Sequence, residues 1–186
     1  KKQRAAHGLY GATSKEYGLS KGKKNRGMLG GWVDELADDA AFNFESYAEC
    51  FISENLVRKF IKEMKLPLSK EAVAEAARWK KTETESKNRG NISITVRRIS
   101  QDPHYLSMDG PANLVDKKDP AREACLPRDA KEYKPMRDAV AHTALLTQEA
   151  KRKLTSVHEN IKGRVTTLLA TQPKHSAPKK PGRRKK

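Results

Sequence analysis

Apolar positions along this chain recur mostly at steps of three and four, the period of helices that bury one face. The clearest run comes late: Ala150, Leu154, Val157, Ile161, Val165, Leu168 and Leu169 predict a helix over about 148–170, with Thr147 as its N-cap. Earlier, Phe44, Tyr47, Phe51, Leu56, Phe60 and Met64 follow steps of three to five and predict a helix that Pro67 ends. Ser69 is the expected N-cap of a second helix, through about residue 86, with Ala72, Val73, Ala76 and Ala77 toward the core. The pattern then changes. Asn88-Arg89-Gly90-Asn91 reads as a turn, and Ile92-Ser93-Ile94-Thr95-Val96 alternates with a period of two, predicting a short strand. Residues 101–134 hold Pro103, Pro111, Pro120 and Pro127 with little periodicity, so a long loop with at most short helices is expected. Pro135 suits the first turn of the helix that follows.

These elements predict a mainly α fold, a helical bundle over residues 32–171 interrupted by a loop and short-strand insertion around 88–134. Two basic segments flank it. Residues 1–31 combine dense glycine with eight Lys or Arg and a single acid, Glu16, which opposes a packed core and predicts a flexible leader. Tyr10 and Tyr17 lie among its cations and could stack on bases. Residues 172–186 are expected to form a disordered basic tail. From Lys174 onward it carries seven basic residues and no acid, with Lys179, Lys180, Arg183, Arg184, Lys185 and Lys186 the candidate phosphate contacts.

Charge changes the picture more than length does. Against 23 Asp and Glu stand 39 Lys and Arg, a net of +16, which favours a polyanionic partner through counterion release. Apolar residues make up 36% of the chain, below the roughly 45–50% typical of a globular domain, so part of it should pack poorly. The stretch 32–57 reverses the balance: Asp34, Glu35, Asp38, Asp39, Glu45, Glu49 and Glu54, without one Lys or Arg. A solvated helix face is the expected meaning, because neither His nor the spacing of a calcium loop accompanies the acids.

Other classes of chemistry find little footing. Cys50 and Cys125 are too far apart in sequence for a CxxC pair, which argues against a zinc ribbon or disulfide framework and for a reducing, cytoplasmic setting. No apolar run approaches the roughly 18 residues of a membrane span, and the basic, Gly-rich start does not read as a signal peptide. Gly22-Lys23 lacks the other residues of a phosphate-binding loop. No cofactor or metal is expected. The chain opens without methionine, so it can be read as a fragment of a larger protein.

One segment does carry chemistry. Met136-Arg137-Asp138-Ala139-Val140-Ala141-His142-Thr143-Ala144-Leu145-Leu146 sets an arginine, an aspartate and a histidine into an otherwise apolar run, where polar side chains need partners or a role. On a helix, positions five apart differ by about 500°, roughly 140° net, so Arg137 and His142 do not share a face. RNA brings its own nucleophile, the 2′-hydroxyl. Cleavage then needs proton transfer, which a histidine supplies near neutral pH, and a cation for the charge that builds on phosphate. Arg137 would bind and polarise the phosphate, His142 would transfer protons, and Asp138 would orient them. His104, in the long loop, reads as a surface turn residue and His158 as partly exposed; His7 and His175 lie in the basic tails.

The Arg-Asp-Ala-Val-Ala-His string resembles the R-x4-6-H signature of the HEPN superfamily. The resemblance covers about six diagnostic residues and a compatible late helix, residues 42–170 in outline. It implies an all-α bundle, antiparallel pairing of two protomers, a composite cleft lined by both copies of the motif, and in many members metal-independent RNA cleavage, often in toxin–antitoxin or antiviral systems. The expected strand at 92–96 and the loop at 101–134 depart from that pattern. Two other readings stay open: a non-catalytic nucleic-acid-binding or partner-docking module, and a helical accessory domain of a larger effector.

Overall fold

The computed structural model describes residues 25–171. Tyr10, Tyr17, His7, His175 and the six tail cations from Lys179 to Lys186 lie outside the described residues. Five α-helices and one 3-10 turn follow in order: α1 Asn25–Glu63, α2 Lys70–Arg89, the turn Asp102–Tyr105, α3 Asp109–Val115, α4 Leu126–Ala141 and α5 Gln148–Thr171. The protein is mainly α, with no strand among the described residues.

α1 is the axis of the bundle. α5 runs beside it in the same direction, since Lys151 Nζ reaches the Phe42 carbonyl (2.5 Å) and, further along both helices, Ser53 Oγ meets His158 Nδ1 (2.9 Å). α4 runs the opposite way, its Tyr133 hydroxyl donating to the Cys50 carbonyl and the turn after it bonded to Asn43. Val57, Phe60, Leu126, Tyr133, Leu154, Val157 and Ile161 interlock where these helices meet. Met108 and Ala112, at α3, close the same core. α2 stands to one side and packs on the 3-10 turn, which Arg58 ties to α1 through the carbonyls of Pro103 (3.0 Å) and Leu106 (3.2 Å).

Both expected N-caps form: Ser69 Oγ accepts from the Ala72 amide and Thr147 Oγ1 from the Ala150 amide. Three helices end alike. Lys65, Asn91 and Thr143 adopt left-handed backbone (φ 51°, 50° and 59°). In each case the amide of the next residue bonds five residues back, as Leu66 does to Ile61, Ile92 to Lys87 and Ala144 to Ala139. This Schellman closure satisfies the last carbonyls of α1, α2 and α4.

Several expectations give way. α1 begins at Asn25, inside the stretch read as a leader, and carries Gly27, Gly30 and Gly31 as helical residues. Residues 92–96 form no strand; they are exposed, and the chain has no second alternating run to supply a ladder partner. The region 101–134 is not a long loop. It contributes α3 and the first half of α4, and with them Met108, Ala112, Leu126 and Ala130 to the core. α4 starts with Pro127 in its first turn, and Pro135 sits inside it. The buried positions Leu126, Ala130, Tyr133 and Met136 carry the helix past Pro135, which faces solvent, so the carbonyl it leaves unbonded faces water.

Candidate functional site

Arg137 emerges on the α1-facing side of α4, one turn after Tyr133. Its Nε donates to Glu54 Oε1 (2.8 Å) and its Nη1 to Asp138 Oδ1 (3.2 Å). Asp138 Oδ2 in turn accepts from Lys134 Nζ (2.8 Å), and Glu54 Oε2 accepts from Arg58 Nη2 (2.7 Å). Tyr133 Oη lies 3.4 Å from Glu54 Oε1. Two carboxylates and three cations therefore alternate along the α1–α4 seam. Glu54 is nearly enclosed, whereas Arg137 and Asp138 each keep 38% of the side chain exposed.

The network sets the protonation of its members. The Lys134 ammonium, and after it Arg137, hold the Asp138 carboxyl below its ordinary value. Burial opposes the Arg137 charge, yet Glu54 and Asp138 outweigh it and stabilise the guanidinium. Burial, reinforced by the neighbouring Glu54 charge, raises the Tyr133 phenol far above its usual range, so it stays a neutral donor. Burial likewise pushes the Cys50 thiol up to about 11, and both cysteines are free and buried, which leaves an unreactive thiol.

His142 is the C-cap of α4. Its backbone amide donates to the Asp138 carbonyl (3.0 Å) and its own carbonyl accepts from Thr143 Oγ1 (2.7 Å). The imidazole is exposed and makes no hydrogen bond among the described residues. Thr143 beside it pays a conformational cost, because a β-branched residue is disfavoured at positive φ.

Two concavities flank the motif. One lies over Arg137, lined by Glu54, Ser107, Met108, Asp109, Tyr133, Lys134 and Asp138; at about 20 Å³ it admits one water. The other, about 440 Å³, is an open groove where the α4–α5 turn meets α1, lined by Leu36, Asp39, Ala40, Asn43, Phe44, Tyr47, Val140, Thr143 and Leu145. His142 lines neither. Within one chain, then, Arg137 and Asp138 come together, and the aspartate orients the arginine rather than the histidine. The histidine stands apart, as the helical offset of about 140° requires.

Glu54 is the residue that sequence reasoning misplaces. With Glu49 it belongs to the run read as a solvated face, yet both are buried while Asp34, Glu35 and Asp38 are exposed. Burial raises the Glu49 carboxyl. The signal for Glu54 is its place four residues before Arg58 and three before the fully buried Val57. His158 is likewise buried, not partly exposed, and burial lowers its pKa. His104 sits half-buried in the 3-10 turn, lowered by burial and by Arg58. Among the described residues no group of three or more His, Cys, Asp or Glu is placed to hold a metal ion, and no helix is long and apolar enough to cross a membrane.

Comparison of the chain with protein-family models, with curated proteins and with solved structures gives no match.

Proposed function

We propose that this chain is an RNA-binding helical module that pairs with a second copy and cleaves RNA without a metal, in the manner implied by its resemblance to the HEPN superfamily. The observation that carries the reading is the disposition of the motif on α4. Arg137 is preorganised by Glu54 and Asp138 with its guanidinium edge still open to solvent, and His142 stands exposed at the end of the same helix with its imidazole uncommitted. Arg137 would take a phosphate oxygen and stabilise charge as it builds, and His142 would exchange protons with the 2′-hydroxyl or the leaving oxygen. One chain offers a single exposed histidine in the motif, whereas acid and base functions need two groups. A second copy supplies the other. The net charge of +16 supports a polyanionic substrate.

The test is cleavage of a mixed-sequence RNA in EDTA by the whole chain and by His142→Ala. Loss of cleavage with the fold and RNA binding retained supports the reading; a magnesium requirement, or an unchanged rate in the variant, rejects it. A second reading, a non-catalytic docking or RNA-binding module, is favoured by the partners of Arg137: two carboxylates already compete for the charge that a phosphate would need. RNA binding without cleavage under any condition selects that reading.

A further inference from the structure

α1 carries an apolar seam that the bundle leaves open. Leu29, Trp32, Leu36, Phe44, Tyr47 and Phe51 are each between 41% and 65% exposed. At about 100° per residue they fall within an arc of about 120°, and Ala40, also exposed, lies inside that arc. Along its middle the seam forms one wall of the 440 Å³ groove. Val140, Thr143 and Leu145 form the other wall, held to α1 by the hydrogen bonds of Asn43 to Ala144 and Leu146. At about 100 Å² for each of these large side chains, half of an aromatic's roughly 150–250 Å², the open apolar area is about 600 Å². A monomer seldom leaves more than about 300–600 Å² in one patch, and a standard interface takes about 800 Å² from each partner.

Charge and symmetry identify the occupant. Asp34, Glu35, Asp38 and Glu45 are exposed but lie about 120–180° around the helix from the centre of the seam, and Glu49 and Glu54 are buried in the bundle. Asp39 alone borders it. A basic segment would therefore find its counter-charges on the far side of α1, and RNA would meet only acids at the margins. A copy of the same seam matches it better. Leu29 and Phe51 lie eleven residues to either side of Ala40. Antiparallel pairing about Ala40 sets Leu29 of one copy against Phe51 of the other, Val33 against Tyr47 and Leu36 against Phe44. The small Ala40 stands at the crossing, where it lets the two helices approach. The steps from Leu29 through Val33, Leu36, Ala40, Asn43 and Tyr47 alternate between four and three, the spacing of a helix that packs lengthwise on another.

We infer that two copies pair antiparallel through the α1 seam, each α1 seated in the groove between its partner's α1 and α4–α5 turn. The inference rests on the pairing of two copies proposed above and adds the face. Thr143, on the groove wall, directly follows His142, so the partner helix lies beside the end of α4. The test is sedimentation equilibrium of the whole chain and of Leu36→Glu, whose site is exposed. Wild type should be a dimer. The variant, with its helical content retained, should raise the dimer Kd by about a hundredfold or more, because symmetry places the change in the interface twice. A short bis-maleimide tests the register, since the native Cys50 and Cys125 are buried. Ala40→Cys should couple to its own copy, and Phe51→Cys should not, because antiparallel pairing sets the two copies of that position about 33 Å apart at 1.5 Å per residue. A monomeric wild type, a dimer that Leu36→Glu leaves intact, no coupling through Ala40→Cys, or coupling through Phe51→Cys would each overturn the inference. Dimers that meet these expectations yet cleave no RNA uphold the face and reject the catalytic reading alone.

Discussion

Glu54 on α1 receives Arg137 from α4 at 2.8 Å and Arg58 from its own helix at 2.7 Å, so one nearly enclosed carboxylate joins the candidate site to the packing of the bundle. Removing it does two things at once. Two partly buried guanidinium groups lose their shared counter-charge, at a stability cost of about 2 kcal/mol after allowing for the exposed edge of Arg137. The same change frees Arg137 for phosphate. Glu54→Gln is therefore expected to lower the urea midpoint and to tighten RNA binding. Filter binding at fixed salt, beside a denaturation curve, checks both; weaker RNA binding in a folded variant would show that the positioning of Arg137 by Glu54 outweighs the competition for its charge.

Thr143 closes α4 in the left-handed region, next to His142. Glycine removes the clash of a branched Cβ there, against the loss of the hydroxyl bond to the His142 carbonyl. Thr143→Gly should stabilise the protein by roughly 0.5–1 kcal/mol. Asn91→Gly, at the equivalent position of α2, should change stability less, because asparagine tolerates this conformation. Paired thermal melts compare the two, and an equal response at both sites would remove the argument from strain.

The buried His158 gives the fold a pH dependence of defined sign. Burial depresses its pKa below the ordinary 6.5, so the unfolded chain takes up the proton first as pH falls. Its contribution is complete above about pH 6.5 and is lost as pH drops toward the folded value. His104, depressed by burial and Arg58, acts in the same direction. Wild type should thus lose stability between pH 7.5 and 5.5. His158→Gln, which keeps an acceptor for Ser53, should lose less, as urea midpoints at the two pH values would show. An identical loss in both proteins would place the sensitivity elsewhere.

How much of this was legible in the sequence depends on whether one stripe or two compete for burial. α5 has a single apolar stripe, and Leu154, Val157, Ile161 and Val165 are buried as their spacing requires. α1 has two. The aromatic one, Phe44, Tyr47 and Phe51, scores better by hydropathy, yet the buried one runs through Ser46, Glu49, Cys50, Ser53, Glu54 and Val57. Two of its polar members are matched by partners on other helices: Ser53 by His158, Glu54 by Arg137 and Tyr133. Such pairings span about a hundred residues of chain and leave no local trace. α4 was hidden by a local rule, since Pro135 signals a helix start more often than an interior kept intact by tertiary packing. In the motif, the types and spacing of Arg137, Asp138 and His142 were readable; that Asp138 serves the arginine and not the histidine was not.

Phosphate steering and phosphate chemistry should separate in the RNA-cleavage reading. Deleting residues 174–186 removes seven cations from a segment remote in sequence from the motif. RNA affinity should weaken broadly across sequences and its dependence on salt should become shallower, because fewer counterions are released. The cleavage position should not move. Arg137→Ala acts differently, since its proposed contact strengthens as charge develops on phosphate: turnover should fall far more than affinity. That variant also leaves Glu54 with Arg58 as its one remaining ion-pair partner, at a stability cost, so Arg137→Lys provides the control. Lysine keeps the charge and the pairing with Glu54 but loses the planar fork, and should retain the fold with part of the turnover. Single-turnover cleavage at saturating RNA decides the matter. A tail deletion that loses the chemical step, beside an Arg137→Ala chain that keeps it, would move the active site away from α4.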